Sequence, residues 1–207
     1  MARTADHDLR RAQIADALLQ VAGDEGLDGV TVAKVASRAG FSVGLIQHYF
    51  ASKDLLIGAA YAECLGRLDR RIVEIVEHGE RRGHSIRQMA NAGLSELLPL
   101  DATRRTECEI RTQFLSRATR SSALREVAVA TSLDLQNRLS RVIENGKACG
   151  EVDPATDQHL TACELLATVQ GLATTQLLSG ESAPGRAVLE HSLARVFAGR
   201  CRHHDPR

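Results

Sequence analysis

The stretch TVAKVASRAGFSVGLIQHYFASKDLL, residues 31–56, contains two short helical segments separated by a tight turn. Thr31 and Ser42 have side chains that can cap the start of a helix, and Gly40 can take the left-handed conformation that ends one. Two short helices joined in this way are typical of a helix-turn-helix, whose second helix can lie in the major groove of DNA. The pattern therefore predicts a helix-turn-helix over residues 31–50.

The second helix of this pair separates its side chains onto two faces when it is wound at about 100° per residue. One face carries bulky groups that can anchor the helix, because two turns of helix do not hold themselves in water. These groups are Leu45, Ile46, Tyr49 and Phe50, with Phe41 just before them. The other face, called the reading face below, is uncharged and consists of Val43, Gly44, Gln47 and His48. Val43 is either an ordinary helix-start residue or an apolar contact to a thymine methyl group, and His48 is either a solvated residue or a groove contact.

Net charge gives no support for a nucleic-acid partner, because 26 Lys and Arg residues balance 26 Asp and Glu residues. The charge is nevertheless uneven along the chain. Residues 29–53 include Lys34, Arg38 and Lys53 and no carboxylate. A protein of this kind would bind DNA through a few well-placed phosphate contacts, combined with the fit of the helix to the groove.

Nearly every other segment shows the period of an amphipathic helix, and no segment shows the sustained alternation of a strand. The sequence therefore predicts an all-α protein of about nine helices. We expect an N-terminal three-helix domain at 8–68, a second helical domain at 69–200 and a tail at 201–207. Helices are expected at about 9–22, from Thr31, from Ser42, from Ser52 to the HGERRG segment, and at 85–98, 103–117, 121–146, 154–178 and 184–198.

The five cysteines are scattered and contain no CxxC pair, which argues against a disulfide framework and a zinc ribbon. We therefore expect small core residues, no metal site and no cofactor, and we do not interpret the terminal CRHHDPR as a metal site. The start of the chain has no apolar signal segment, and the longest uncharged run, 165–180, is too short to span a bilayer. These features predict a cytoplasmic protein without a membrane partner.

The segment TVAKVASRAGFSVGLIQHYFASKDLL closely resembles the DNA-binding signature of the TetR (tetracycline-repressor) family, over about residues 8–68. The remainder resembles the regulatory domain of the branch that contains the choline-responsive repressor, through QGLATTQLL near Gln170 and the segment GEVDP. The resemblance implies a ligand-responsive repressor that binds a palindromic operator in double-stranded DNA as a homodimer. It also implies that a small-molecule effector bound in the C-terminal domain releases the operator.

Site residues follow from the resemblance position by position. It implies phosphate contacts from Thr31, Tyr49 and Lys53, to which we add Lys34. The groove-facing positions that it implies are Ser42, Val43, Gly44, Gln47 and His48. The family usually has tyrosine where this chain has Gln47, and glutamine can pair with adenine N6 and N7. The usual aromatic contact is therefore expected to become a base contact here.

The dimer interface is expected on the last two predicted helices, because the apolar side chains of the first of them cover more of its circumference than one core requires. The expected interface residues are Leu166, Val169, Ala173, Leu177, Leu189, Leu193, Val196 and Phe197. A single thick core within one chain is the alternative. The candidates for an effector cavity are Met89, Glu107, Phe114, Gln170 and Thr174. An aromatic cage for a quaternary ammonium group is not evident among them.

Two other functions are compatible with an all-α chain. One is a helical scaffold that binds other proteins, and the other is an all-α enzyme that uses Glu107, Glu109 and histidines. No Gly-rich phosphate loop, HExxH or GxSxG motif supports the enzyme. Strong salt dependence of DNA binding would separate a regulator from a scaffold. Repression and activation remain alternatives at the level of the sequence.

Overall fold

A computed structural model describes residues 2–180 and 183–201. These residues form nine α-helices and no strand, as the periodicity predicted. The helices are α1 (Ala2–Glu25), α2 (Val32–Ala39), α3 (Val43–Tyr49), α4 (Lys53–Arg82), α5 (Ile86–Ser95), α6 (Ala102–Ala118), α7 (Ser122–Cys149), α8 (Gln158–Ser179) and α9 (Ala183–Val196). The expected tail lies outside the described residues, except for Cys201. None of the described helices combines the length and the apolar character that crossing a bilayer requires.

The chain divides into two compact units, and the division falls within α4, next to the boundary expected at residue 68. The first unit comprises Met1–Arg67 and Asp101–Arg125, and the second comprises Leu68–Leu100 and Glu126–Arg207. Helix α6 and the start of α7 therefore belong to the first unit, although the sequence analysis assigned residues 101–125 to the second domain. Their partners in the first unit are distant in sequence, so local periodicity could not assign them.

The core of the first unit is centred on α1, α4 and α6. Tyr61 and Phe114 stack with ring centroids 3.9 Å apart and an interplanar angle of 7°, and both side chains are buried. Cys64 lies one helical turn beyond Tyr61 and is 1% exposed. Burial raises the pKa of the Cys64 thiol to about 12. This cysteine is therefore a neutral core residue, as expected, rather than a reactive thiol.

Several helix boundaries differ from the expected ones, and local backbone bonds account for two of them. Helix α1 continues to Glu25 rather than 22, and the chain leaves it at Gly26, which has a positive φ of 75° and donates its N–H to the Ala22 carbonyl at 2.9 Å. Helix α8 begins at Gln158 rather than at 154. Asp157 caps it, because one carboxylate oxygen accepts the N–H groups of His159 and Leu160 at 2.9 and 3.0 Å. The hydrogen bond from the Leu160 N–H is the main cause that lowers the pKa of Asp157.

Candidate nucleic-acid interface

Helix α2 is capped at both ends by the residues that the sequence indicated. The Thr31 hydroxyl accepts the N–H of Lys34 at 3.3 Å, which satisfies one of the free donors of the first turn. Gly40 has a φ of 69°, and the next N–H, of Phe41, donates back to the Ala36 carbonyl at 2.9 Å. The turn between α2 and α3 is therefore fixed by the backbone.

Helix α3 is held by one face, as its pattern predicted. The Ser42 hydroxyl caps it by accepting the N–H of Leu45 at 3.1 Å. Ile46 is 1% exposed and Phe50 is 4% exposed, so these two side chains are the principal anchors. The other predicted anchors, Phe41, Leu45 and Tyr49, are half-buried. A helix of 7 residues is thus positioned by tertiary contacts rather than by its own stability.

Helix α1 also fixes the end of α3. The guanidinium of Arg11 stands over the Phe50 ring, 4.6 Å from its centroid, and donates a hydrogen bond to the Tyr49 carbonyl at 3.3 Å. The imidazole of His7 lies 4.7 Å from the Tyr49 ring, measured between centroids. A cation over an aromatic ring contributes about 0.5 to 1 kcal/mol at such partly exposed sites. These contacts orient α3 without using any residue of the reading face.

All four residues of the reading face are exposed, whereas Ile46 on the same helix is buried. A Cβ added at Gly44 would have no atom of the protein within 4 Å, so the space in front of this position is open. Gln47 and His48 together offer two amide donors, an amide acceptor and two ring nitrogens. The face can therefore make hydrogen bonds to an external partner without breaking any contact of the fold.

The basic residues near the reading face have protein partners, which the local charge count could not reveal. Lys34 forms an ion pair with Glu25 and donates to the Gly29 carbonyl at 3.1 Å. Arg38 forms an ion pair with Asp24 at 2.7 Å between Nη2 and Oδ2. The carboxylates come from the end of α1, before the charge-free stretch at 29–53. Pairs this exposed contribute only about 0 to 1 kcal/mol each, so a phosphate group can replace the carboxylate.

The remaining predicted phosphate contacts lie beside α3. Lys53 begins α4 and donates from Nζ to the Val30 carbonyl at 3.1 Å. The Thr31 hydroxyl uses its oxygen as the cap of α2, and its proton remains available for another acceptor. Tyr49 is half-buried. Lys53 and Thr31 are exposed, so their polar groups can reach a backbone phosphate.

The five candidate effector residues do not lie in one place. Glu107 and Phe114 are buried in the first unit, where Phe114 is 0% exposed against Tyr61. Gln170 and Thr174 are exposed on α8 in the second unit, and the Thr174 hydroxyl donates to the Gln170 carbonyl at 3.0 Å. Glu107 and Phe114 are therefore core residues of the first unit. Gln170 and Thr174 are exposed, so they do not line an interior cavity.

Two of the candidates border a concave surface. Glu107 lines a depression of about 350 Å³ in the first unit, and the second candidate is Met89. It lines an open groove of about 460 Å³ between α4 and α5 in the second unit, a volume within the range of small-molecule sites. The other lining residues are Arg71, Glu74, Ile75, His78, His84, Gln88, Ala92 and Glu96. Sequence reasoning missed them, because polar residues on two amphipathic helices carry no signal that the helices face each other.

The expected dimer residues mostly belong to the core of their own chain. Leu166, Val169, Ala173, Leu189, Leu193 and Phe197 are each at most 8% exposed, and Leu177 and Val196 are half-buried. A side chain that its own chain already covers has no area to offer a partner, so these six are corrected to intrachain packing. The apolar residues left exposed on the two helices include Leu160 and Leu178 of α8 and Val188 of α9, at 68%, 85% and 43%.

Two family models match the chain. Residues 14–60 match the model of bacterial regulatory proteins of the tetR family, and residues 86–198 match the C-terminal domain of BetI-type transcriptional repressors. The curated relatives include the HTH-type transcriptional regulator BetI of Burkholderia cenocepacia, which is 42% identical over 65 residues. That match covers 31% of this chain and 34% of the relative, so the chain matches about a third of the length of the curated relatives.

Solved structures resemble the chain over nearly its whole length. A transcriptional regulator from Rhodococcus sp. Rha1 is 30% identical, with a TM-score of 0.75 over 91% of this chain and 96% of that one. A transcriptional regulator from Saccharomonospora viridis, solved in complex with choline, is 20% identical, with a TM-score of 0.70 over 89% and 93% of the two chains, and shows the shared fold. These relatives are transcriptional regulators rather than enzymes. With both family models matched in chain order, the chain belongs to the TetR family of bacterial regulatory proteins and carries a BetI-type C-terminal domain.

Proposed function

We propose that the protein is a transcriptional repressor that binds operator DNA in the cytoplasm as a homodimer and is released by a small-molecule effector. The observation that carries this proposal is the reading face. It is exposed and uncharged, and it lies on a helix whose opposite face is anchored by Ile46 and Phe50. A scaffold for other proteins would need no such bare polar face on a firmly held two-turn helix.

The reading face supplies the base contacts in this proposal. The Gln47 amide can donate to N7 and accept from N6 of an adenine, and a good bidentate pair contributes about 1 to 3 kcal/mol of discrimination. His48 can bond to a neighbouring base edge, and Val43 can contact a thymine methyl group. Gly44 lets the helix backbone approach the base edges closely, because it has no side chain between the helix and the groove. Ser42 caps the start of α3 and completes the set.

Phosphate contacts on either side of α3 would set the register of the helix in the groove. Thr31, Lys34, Tyr49 and Lys53 are the residues that we assign to them. Lys34 would exchange Glu25 for a phosphate, and Lys53 would turn from the Val30 carbonyl. The Lys34–Glu25 pair is exposed, so its exchange for a phosphate costs little.

The dimer face in this proposal is the outer side of α8. Its exposed residues recur every three or four positions, which is the spacing of a helix-pairing seam. They are Leu160, Glu164, Ala167, Gly171, Thr174 and Leu178. Small residues in the middle of this row allow a second helix to approach closely. Pairing through this face with its two-fold copy, together with Val188 of α9, would cover apolar surface that a single chain leaves in water.

The effector site in this proposal is the groove beside Met89, whose volume suits a small organic molecule. An ion pair between Arg71 and Glu96, 2.6 Å from Nε to Oε2, closes one part of it and offers both charges to a polar ligand. A ligand that favours a conformation with low affinity for DNA must itself bind more weakly to the DNA-bound protein, typically by about 1 to 3 kcal/mol. Repression is the mode we propose, because the matched C-terminal domain is that of repressors.

Gel-shift titrations at two salt concentrations test DNA binding. The probe is the duplex that wild-type protein retains best from a randomised library. Lys53→Ala is expected to weaken binding and to lower the slope of log K against log salt by about 0.9 for each phosphate that the lysine no longer neutralises. Arg141→Ala, which removes one exposed charge from α7 in the second unit, is the matched control and should leave the slope unchanged. Equal losses in both variants, or binding that does not respond to salt, would contradict the proposal.

A further inference from the structure

Three metal-ligating side chains meet in the second unit, although they come from two segments that are far apart in the sequence. Cys149 is the last residue of α7, Glu151 lies in the turn that follows, and Cys201 lies beyond the end of α9. Their two sulfur atoms and one carboxylate oxygen all lie within 4.8 Å of one another. Cys149 and Glu151 are buried, and Cys201 is half-buried.

The backbone places these residues together. The N–H of Gly199 donates to the Glu151 carbonyl at 2.9 Å, so the segment after α9 runs directly against the turn after α7. A Cβ at position 199 would lie 2.1 Å from the Gly150 carbonyl oxygen, which only glycine avoids. Cys201 is therefore carried to Cys149 and Glu151 by a close backbone contact.

Glu151 is held in a fixed orientation by the start of α5. Its two carboxylate oxygens accept the N–H groups of Ile86 and Arg87 at 2.8 and 2.9 Å. A carboxylate has about four lone-pair positions, so each oxygen keeps one that the helix does not use. The sulfur of Cys149 lies 3.5 Å from Oε1, the oxygen that Ile86 also contacts. Oε1 therefore accepts a hydrogen bond from the start of α5 and also lies next to the Cys149 thiol.

The 3.5 Å between the Cys149 sulfur and Oε1 of Glu151 matches a tetrahedral metal centre, and all three ligand atoms lie within 4.8 Å of one another. Zinc binds cysteine sulfur at about 2.3 Å and carboxylate oxygen at about 2.1 Å, which separates S and O by about 3.5 Å and two sulfurs by about 3.8 Å. From this geometry we propose that Cys149, Glu151 and Cys201 bind one Zn²⁺ per chain, with a water molecule as the fourth ligand. The donor set of two thiolates and one carboxylate favours zinc over the hard cations calcium and magnesium.

Binding would release thiol protons to solvent, because cysteine coordinates zinc as the thiolate. No bond to carbon changes, and no electron is transferred. Burial raises the pKa of Cys149 to about 11, so without a metal this residue is a thiol that donates weakly to its neighbours. The bound ion would tie the end of α7 to the segment after α9 and, through Glu151, to the start of α5.

Cobalt(II) spectroscopy on the reduced full-length chain, freed of any affinity tag, tests the site. The protein is reduced with a phosphine, which neither supplies a thiol ligand nor leaves a disulfide. Wild-type protein is expected to bind one Co²⁺ per chain with a thiolate-to-cobalt charge-transfer band, which one equivalent of Zn²⁺ should abolish. The control Cys163→Ser, which alters an exposed cysteine on α8, should keep the band and the stoichiometry.

Cys149→Ser and Cys201→Ser should each lose most of the band, and added Zn²⁺ should raise the melting temperature of the wild type but of neither variant. Cys201→Ser changes a half-buried residue beyond the last helix, so it keeps the test valid even if Cys149→Ser fails to fold. Absence of a thiolate band in reduced wild-type protein overturns the proposal. So does a band that survives in a folded Cys201→Ser variant.

Discussion

Gly44→Leu is expected to weaken specific operator binding about thirtyfold or more while the protein remains folded. A Cβ at this position meets nothing of the protein within 4 Å, so the fold can accept the new side chain. Leucine also suits a helix better than glycine by about 1 kcal/mol. In the complex, however, the added side chain would stand between α3 and the base edges. Removing one bidentate base contact in each of the two subunits costs about 2 kcal/mol or more, which weakens binding about thirtyfold.

Gel shift and circular dichroism of the same preparation check this expectation. Ala62→Leu makes a comparable addition at an exposed position of α4 and serves as the control for non-specific effects of an extra apolar group. It should bind the operator as the wild type does. If Gly44→Leu bound the operator with unchanged affinity, the reading face would not lie in the groove.

Phe114→Ala is expected to lower the free energy of unfolding by about 3 to 5 kcal/mol, which is the usual cost of removing a fully buried aromatic side chain. Phe114 is 0% exposed and stacks on Tyr61, so its removal leaves a cavity and takes away the stacking partner. From the sequence, Phe114 was expected to line an effector cavity. Its position predicts instead a loss of stability that does not depend on any ligand.

Urea denaturation of DNA-free protein measures the loss. Thr112→Ala, at an exposed position of the same helix α6, should change the free energy of unfolding by no more than about 0.5 kcal/mol. A loss below about 1 kcal/mol in Phe114→Ala would show that the side chain is dispensable to the core, and would restore the effector role as the better explanation.

Features that depend on neighbouring residues could be predicted from the sequence. The caps Thr31, Ser42 and Ser52 and the left-handed Gly40 act within four residues of their own position, so the composition of a short segment determines them. The two faces of α3 follow from the helical period in the same way. For this reason the helix-turn-helix was predicted with its correct bounds.

Features that depend on which elements meet could not be predicted in this way. The pairing of Lys34 with Glu25 joins α2 to the end of α1, and only the fold shows that the carboxylate is near. The apolar pattern of α8 and α9 indicated buried faces. It does not distinguish burial within the same chain from burial against a second subunit. Val169 and Leu193 were therefore assigned to a dimer interface although their own chain covers them.

The cysteines illustrate the same limit. No CxxC pair is present, and no metal site was therefore expected from the sequence. Cys149 and Cys201 are far apart in the sequence, and only the backbone contact at Gly199 brings the two sulfurs together. A donor set assembled from two distant segments leaves no CxxC-type motif to recognise.

Selection of duplexes from a randomised library by wild-type protein and by Gln47→Ala most directly tests the claim that α3 reads base edges. The wild type should enrich a near-palindrome whose half-sites lie about one helical turn, or a multiple of it, apart. Gln47→Ala should relax the preference at one position of each half-site and leave the other positions unchanged. A wild type that enriches no sequence, or a Gln47→Ala variant that enriches the same motif with the same preference, would contradict the account.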